Sequence, residues 1–328
     1  WLSEYRFDGL RFDAVHAIAD NAFLDDMARQ IRAALPDRHV HLVLENENND
    51  PDRLAPGVYS AQWNDDFHNV LHVILTGEDE GYYEAFTESP TEKLARCLAE
   101  GFIFQGEVCG EHERGAPSGH LPPTAFVSFL QNHDQVGNRA LGERLILLTD
   151  ADKLRSATAL QLLMPQIPLL FMGEEAGSRS PFLFFTDFHD ELADAVREGR
   201  REEFAKFSAF ADPKVRETIP DPNAPETFNR SKPEPGLDAE EWRSLYRDLL
   251  ALRREKIAPR LAGTRTLSVK VLGEGAINAC WQLGDGVTLA IAINLGDAPV
   301  TFPPPEGQLL FELLDRGEPG SFLAWIAR

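Results

Sequence analysis

The chain has 328 residues, 43% of them hydrophobic, a length and composition that fit a globular protein of one large domain or of one large and one small domain. Its 53 acidic residues against 32 basic ones give a formal net charge of −21 at pH 7, which speaks against nucleic acid and anionic membrane as partners and favours a neutral substrate. Cys97, Cys109 and Cys280 are too few and too scattered for a disulfide framework and no apolar run approaches a membrane span, so a reducing, cytoplasmic location is expected.

The first element runs through FDGLRFDAVHAI, residues 7–18. Leu10 and Phe12 alternate with Arg11 and Asp13, a strand pattern that turns helical only after Asp20. Asp13 therefore stands where a strand ends, and Arg11 leaves the same face two residues earlier. In parallel α/β folds chemistry collects at such ends. A carboxylate kept ionised by a guanidinium is equipped as a nucleophile or metal ligand, and equally as half of a structural ion pair.

Further along, Leu24, Met27, Ile31 and Leu35 share a helical face after a cap at Asn21, and Pro36 stops the run. Val40 to Leu44 reads as a buried strand ending at Glu45, Phe102 to Phe104 as a third strand, and Ala125 to Leu130 as a fourth, which leads into Gln131, Asn132, His133 and Asp134. Asp150 caps a helix reaching Leu163, and Pro168 to Met172 is a fifth strand ending at Glu174 and Glu175. Long loops are expected at 46–98 and 176–236, each leaving from an end where acids gather. A helix with a capping box from Asp238 to Glu241 comes next, with Trp242, Leu245, Leu249 and Leu252 on its apolar face. From Leu261 the pattern becomes short alternating runs (TLSVKVL, INACWQL, VTLAIAINL, QLLFELL) broken by Gly, Asp and Pro. These features predict an α/β fold: the C-terminal five units of a (β/α)₈ TIM barrel over 1–258, then a small antiparallel β domain over 259–328.

Asp13, Glu45 and Asp134 each end a predicted strand. Two carboxylates facing one cleft are the minimum equipment for glycoside hydrolysis. No zinc, calcium or phosphate-loop spacing is present, so neither a metal nor a cofactor is expected. Cys109 and His112 read as an inert pair, and Glu174 and Glu175 as supports for a loop. Trp63 and the Phe182–Phe185 run could stack on sugar faces or pack loops down.

GLRFDAVHAI, LVLENEN and FLQNHDQVGNR resemble, in order, three short regions of the α-amylase superfamily of glycoside hydrolases. The resemblance implies Asp13 as nucleophile with Arg11 beside it, Glu45 as general acid, and Asp134 with His133 as transition-state contacts. It also implies that Gln135 and Asn138 belong to the sugar site, with His16, Asp66 and His68 on the leaving side. Asn69 departs from the histidine expected there. The activity implied by the resemblance is that of a retaining hydrolase acting on α-1,4-glucan ends that carry trehalose; a branching transferase or a non-catalytic sugar-binding barrel are the rivals. Five units where a closed barrel needs eight predict a fragment, with further units before Trp1 and open sheet edges at Leu10 and Leu170.

Overall fold

The computed structural model describes residues 1–54, 57–109 and 112–327; the side chains of Cys109 and His112, and so the pairing considered for them, lie outside what is described. In chain order the elements are β1 (Gly9–Phe12), α1 (Asn21–Ala34), β2 (His41–Leu44), β3 (Ala61–Trp63), α2 (Asp65–Thr76), α3 (Pro90–Glu100), β4 (Glu107–Cys109), β5 (His112–Arg114), β6 (Phe126–Ser128), α4 (His133–Gly137), α5 (Ala151–Leu163) and β7 (Ile167–Pro168). Then come α6 (Asp190–Glu203), α7 (Pro213–Arg216), α8 (Pro225–Arg230), α9 (Ala239–Leu252) and the strands β8 (Arg265–Gly273), β9 (Ala276–Gln282), β10 (Thr288–Asn294), β11 (Gln308–Leu313) and β12 (Phe322–Ala327). No described helix is long and apolar enough to cross a membrane.

The first sheet is parallel, in the order β1-β2-β3-β6-β7, which leaves β1 and β7 at its edges. Its two faces obey the strand period of two. Leu10, Phe12, Leu42 and Leu44 point toward α1, where Leu24 and Ala28 are buried against them. Val43, Ala61, Trp63, Val127 and Phe129 form the opposite face, which is also the side of Arg11 and Asp13. The second sheet is antiparallel, in the order β11-β12-β10-β9-β8.

Several expectations need correction. The third strand is Ala61–Trp63, inside the stretch expected to be a loop; it is three residues long and buried throughout, so it shows no alternation. Phe102–Phe104 is a buried bend, and the amides of Ile103 and Phe104 bond to the Asp66 carboxylate instead of to a neighbouring strand. The stretch 46–98 thus contains β3, α2 and most of α3, and 176–236 contains α6, α7 and α8. The fifth strand sits at Ile167–Pro168, starting one residue before the expected stretch and sharing only Pro168 with it. Asp20, not Asn21, caps α1, accepting from the amides of Ala22 and Phe23. Asp238 forms no capping box, because its carboxylate is taken by Arg179 and by the Trp242 indole N–H. The second sheet also contains β12, a strand not read from the sequence, which lies between β10 and β11.

One apolar cluster joins helices beside the first sheet to the strands of the second. It runs from Phe67 and Leu71 of α2 through Leu160 and Leu163 of α5 and Leu249 of α9 to Trp281, Ile291 and Phe322 in the second sheet. α5 is buried nearly all round, as a helix sandwiched between layers must be. Leu160 is fully buried there. Leu160→Ala is expected to lower stability by about 2–5 kcal/mol, seen as one shifted denaturation midpoint whether the probe reports helix or tryptophan. Two separated transitions would show that the cluster does not couple the sheets.

Candidate active site

The register of the parallel sheet brings the strand-end acids together. Phe12 pairs with Leu44, and the next residues on the two strands are Asp13 and Glu45; the Glu45 amide donates to Phe12 O at 3.0 Å. Immediately after Asp13, Ala14 adopts a left-handed backbone with φ 44° and ψ 45°, a conformation that costs a residue with a Cβ about 1–2 kcal/mol. That turn aims the Ala14 amide at Glu45 Oε2, 2.8 Å away. The strain is compensated by fixing one carboxylate oxygen.

Arg11 is the centre of the cluster. Its guanidinium Nη1 donates to Asp13 Oδ1, Nη2 donates to Glu45 Oε2 at 2.6 Å, and Nη2 lies 3.7 Å from Asp134 Oδ2. The guanidinium lies 4.2 Å from the ring centre of Trp63, which packs edge-on against Phe129. Trp63 is 8% exposed, so it serves as the platform beneath Arg11 and not as an open sugar-stacking surface. The Asp13 side chain is 78% exposed and that of Glu45 19%, an open carboxylate beside a sheltered one.

Asp134 belongs to α4, a short helix whose start is held by Asn132: its side-chain oxygen accepts from the amides of Asp134 and Gln135. His133 is half exposed, with Nε2 3.4 Å from Asp134 Oδ1 and its ring 6.0 Å from that of Trp63. Behind this strand end Glu174 is buried, accepting from Gln131 Nε2 at 3.0 Å and from the Phe171 amide at 2.9 Å. Burial pushes its carboxyl up to about 7. This is a supporting position.

The remaining residues drawn from the sequence divide. His16 lies in the turn after Asp13, its Nδ1 accepting from the Glu47 amide at 3.4 Å, at the rim of the cleft. Asn138 is exposed at the end of α4, its amide donating to Asp134 O at 2.8 Å. Gln135 Nε2 donates to Asp65 Oδ1 at 3.0 Å. Asp66 is not brought to the cleft. It is wholly buried and accepts from Asn49 Nδ2, the Ile103 and Phe104 amides and Arg114 Nη2. His68 is buried as well: Nδ1 meets Leu130 O and Nε2 faces the Tyr83 hydroxyl at 3.4 Å. Burial, with His72 and Arg139 nearby, holds its imidazole down to about 3, so it is neutral at ordinary pH. The Phe182–Phe185 run packs on itself, Phe182 edge-on to both Phe171 and Phe185. Sequence reasoning missed Asp65, the first residue of α2. The sole signal for it was a pair of adjacent aspartates, and choosing between them required knowing where the helix begins. Among the described residues no group of three His, Cys, Asp or Glu side chains is arranged to hold a metal ion.

Parallel strands with acids at their C-terminal ends, followed by a separate antiparallel sheet, define an α-amylase-type barrel architecture, and known proteins agree with it. A crystal structure of a protein assigned as an α-amylase from Salmonella typhimurium superposes with a TM-score of 0.91 at 42% identity, covering 100% of this chain and 58% of that one. The cyclic α-maltosyl-(1→6)-maltose hydrolase of Arthrobacter globiformis shares the fold at 14% identity and a TM-score of 0.53, covering 98% of this chain and 57% of that one. Malto-oligosyltrehalose trehalohydrolase of Deinococcus radiodurans is 42% identical over 325 residues, 92% of this chain and 52% of that protein. The protein of the same name from Saccharolobus solfataricus is 39% identical over 281 residues, 82% of this chain and 46% of its own length. The profile of a family described as "Domain of unknown function (DUF3459)" matches residues 264–324, from the start of the second sheet into β12. Over most of its length the chain thus resembles malto-oligosyltrehalose trehalohydrolases of the α-amylase superfamily. It spans about half the length of the curated relatives it matches.

Proposed function

We propose that this chain carries the catalytic acids of a retaining glycoside hydrolase that cuts the α-1,4 bond next to the trehalosyl end of maltooligosyltrehalose. Residues 1–258 would be the C-terminal part of its barrel and 259–328 an accompanying β domain. The observation that carries the reading is the single Arg11 guanidinium in contact with Asp13, Glu45 and Asp134. Carboxyl groups that share one guanidinium are close set, as double displacement requires; inverting enzymes hold them farther apart to admit a water. The names of the relatives support the substrate.

In this mechanism Asp13 Oδ attacks the anomeric carbon while Glu45 gives its proton to the departing oxygen, so a glycosyl ester forms on Asp13 and trehalose leaves. Glu45, now ionised, takes a proton from water, the water oxygen bonds to the same carbon, and the ester breaks. Two inversions restore the α configuration. Asp134 and His133 bind hydroxyls of the distorted ring, where contacts that tighten in the transition state accelerate the reaction.

Glu45→Gln in the complete protein tests the role of the acid. Trehalose release from the natural glucoside is expected to fall by about 10²–10⁴. Turnover of an α-maltosyl fluoride, whose leaving group needs no proton, should fall far less. Equal losses on both substrates would remove Glu45 from the acid role.

A further inference from the structure

Asp65 lies against the acid-lined cleft without being one of its three central acids. As the first residue of α2, it accepts from Gln135 Nε2 at 3.0 Å, and Gln135 directly follows Asp134 on α4. The other end of that amide, Gln135 Oε1, is buried and receives no hydrogen bond, an unfavourable state for a carbonyl oxygen kept from water. α4 is only five residues long, so side-chain ties such as this one do much to set where Asp134 sits. The charged groups around Asp65 are Asp66 beside it on α2, Glu45 after β2, Arg114 on β5 and Asp134 on α4. Three of the four are acids. Burial, with the repulsion of Asp66, Glu45 and Asp134 outweighing Arg114, pushes its carboxyl up to about 7.

A protonated Asp65 has an O–H to give, and Gln135 Oε1 is the neighbouring acceptor that lacks a donor. We propose that Asp65 is a positioning residue: in its acid form it pairs with both ends of the Gln135 amide and so holds α4, and Asp134 with it, against the cleft. Its part in turnover rests on the reading of Asp134 as a transition-state contact; the pairing itself does not. No bond to substrate is involved, and the proton leaves to solvent as the pH rises. The sign is fixed by the folded state binding this proton more tightly than the unfolded chain does: the hold is complete in mild acid and lost as pH rises through about 7.

Two readouts test it. Infrared difference spectra of the 328-residue chain should show a protonated-carboxyl band that disappears as pH passes about 7, to which Asp65 and Glu174 both contribute; Asp65→Asn should lose the Asp65 share and keep the rest. This arm needs no turnover, so it stands even if the assigned reaction fails. In the complete protein, Asp65→Ala should lower kcat by about tenfold to a hundredfold with KM little changed. Asp65→Asn can accept from Nε2 and donate to Oε1; it should recover most of that loss and lack the parent's inflection near neutrality. The proposal is overturned by an Asp65→Asn variant that keeps the parent's full band, by an alanine variant with the parent's kcat, or by an asparagine variant as impaired as the alanine one.

Discussion

Asp13→Ala in the complete protein is expected to cut trehalose release from maltooligosyltrehalose by on the order of a thousandfold or more, and to leave the unfolding midpoint of the 328-residue chain close to the parent's. The two halves of the expectation have one structural cause. The Asp13 side chain is 78% exposed and its hydrogen-bonding partner is Arg11, which keeps Glu45 at 2.6 Å when that partner is removed. Little burial is lost, and exposed ion pairs contribute little to stability. In the proposed mechanism the substitution removes the atom that bonds to the anomeric carbon, a contribution that no neighbouring carboxylate can supply from its own position. A variant that turns over near the parent's rate would remove Asp13 as nucleophile. A variant that unfolds would show its role to be structural.

Asp66→Ala is expected to do the reverse, destabilising the chain by about 3–5 kcal/mol, the cost of leaving buried partners of a charge unpaired. Asp66 has no exposure and gathers Asn49, the amides of Ile103 and Phe104 and the Arg114 guanidinium, all of them donors. Asp66→Asn should not restore the loss, because one face of the amide would present N–H groups to donors. Urea unfolding of the two variants decides the matter. Parent-like stability with impaired hydrolysis would instead return Asp66 to the sugar site.

The contrast between these two aspartates shows what was and was not legible in the sequence. Asp13 and Glu45 were legible because strand alternation fixes the face a side chain takes, and both strands stop where the chain turns polar. Arg11 was legible for the same reason. Asp66 was misplaced because the stretch after Glu45 gives no strand signal: β3 is three buried residues, so the start of α2, and with it which aspartate of the Asp65–Asp66 pair faces the cleft, could not be counted. His68 was misplaced with it, since a histidine one helical turn along α2 points into the core against Leu130. Phe102–Phe104 has the composition of a strand, yet its amides were already committed to a side chain. In the second sheet, β12 lies between β10 and β11 and is buried over most of its length, which again erases alternation. Patterns of period two or 3.6 survive only where one face meets water.

If Asp13 and Glu45, gathered by one guanidinium, cleave by double displacement, the new reducing end must keep the α configuration. Proton NMR of the complete protein acting on maltooligosyltrehalose reads this directly from the released maltooligosaccharide. The α anomer should appear first, together with free trehalose, and only afterwards relax toward the β anomer by mutarotation. A β anomer formed first, or glucan chains that gain new branches while no trehalose is freed, would contradict the assignment.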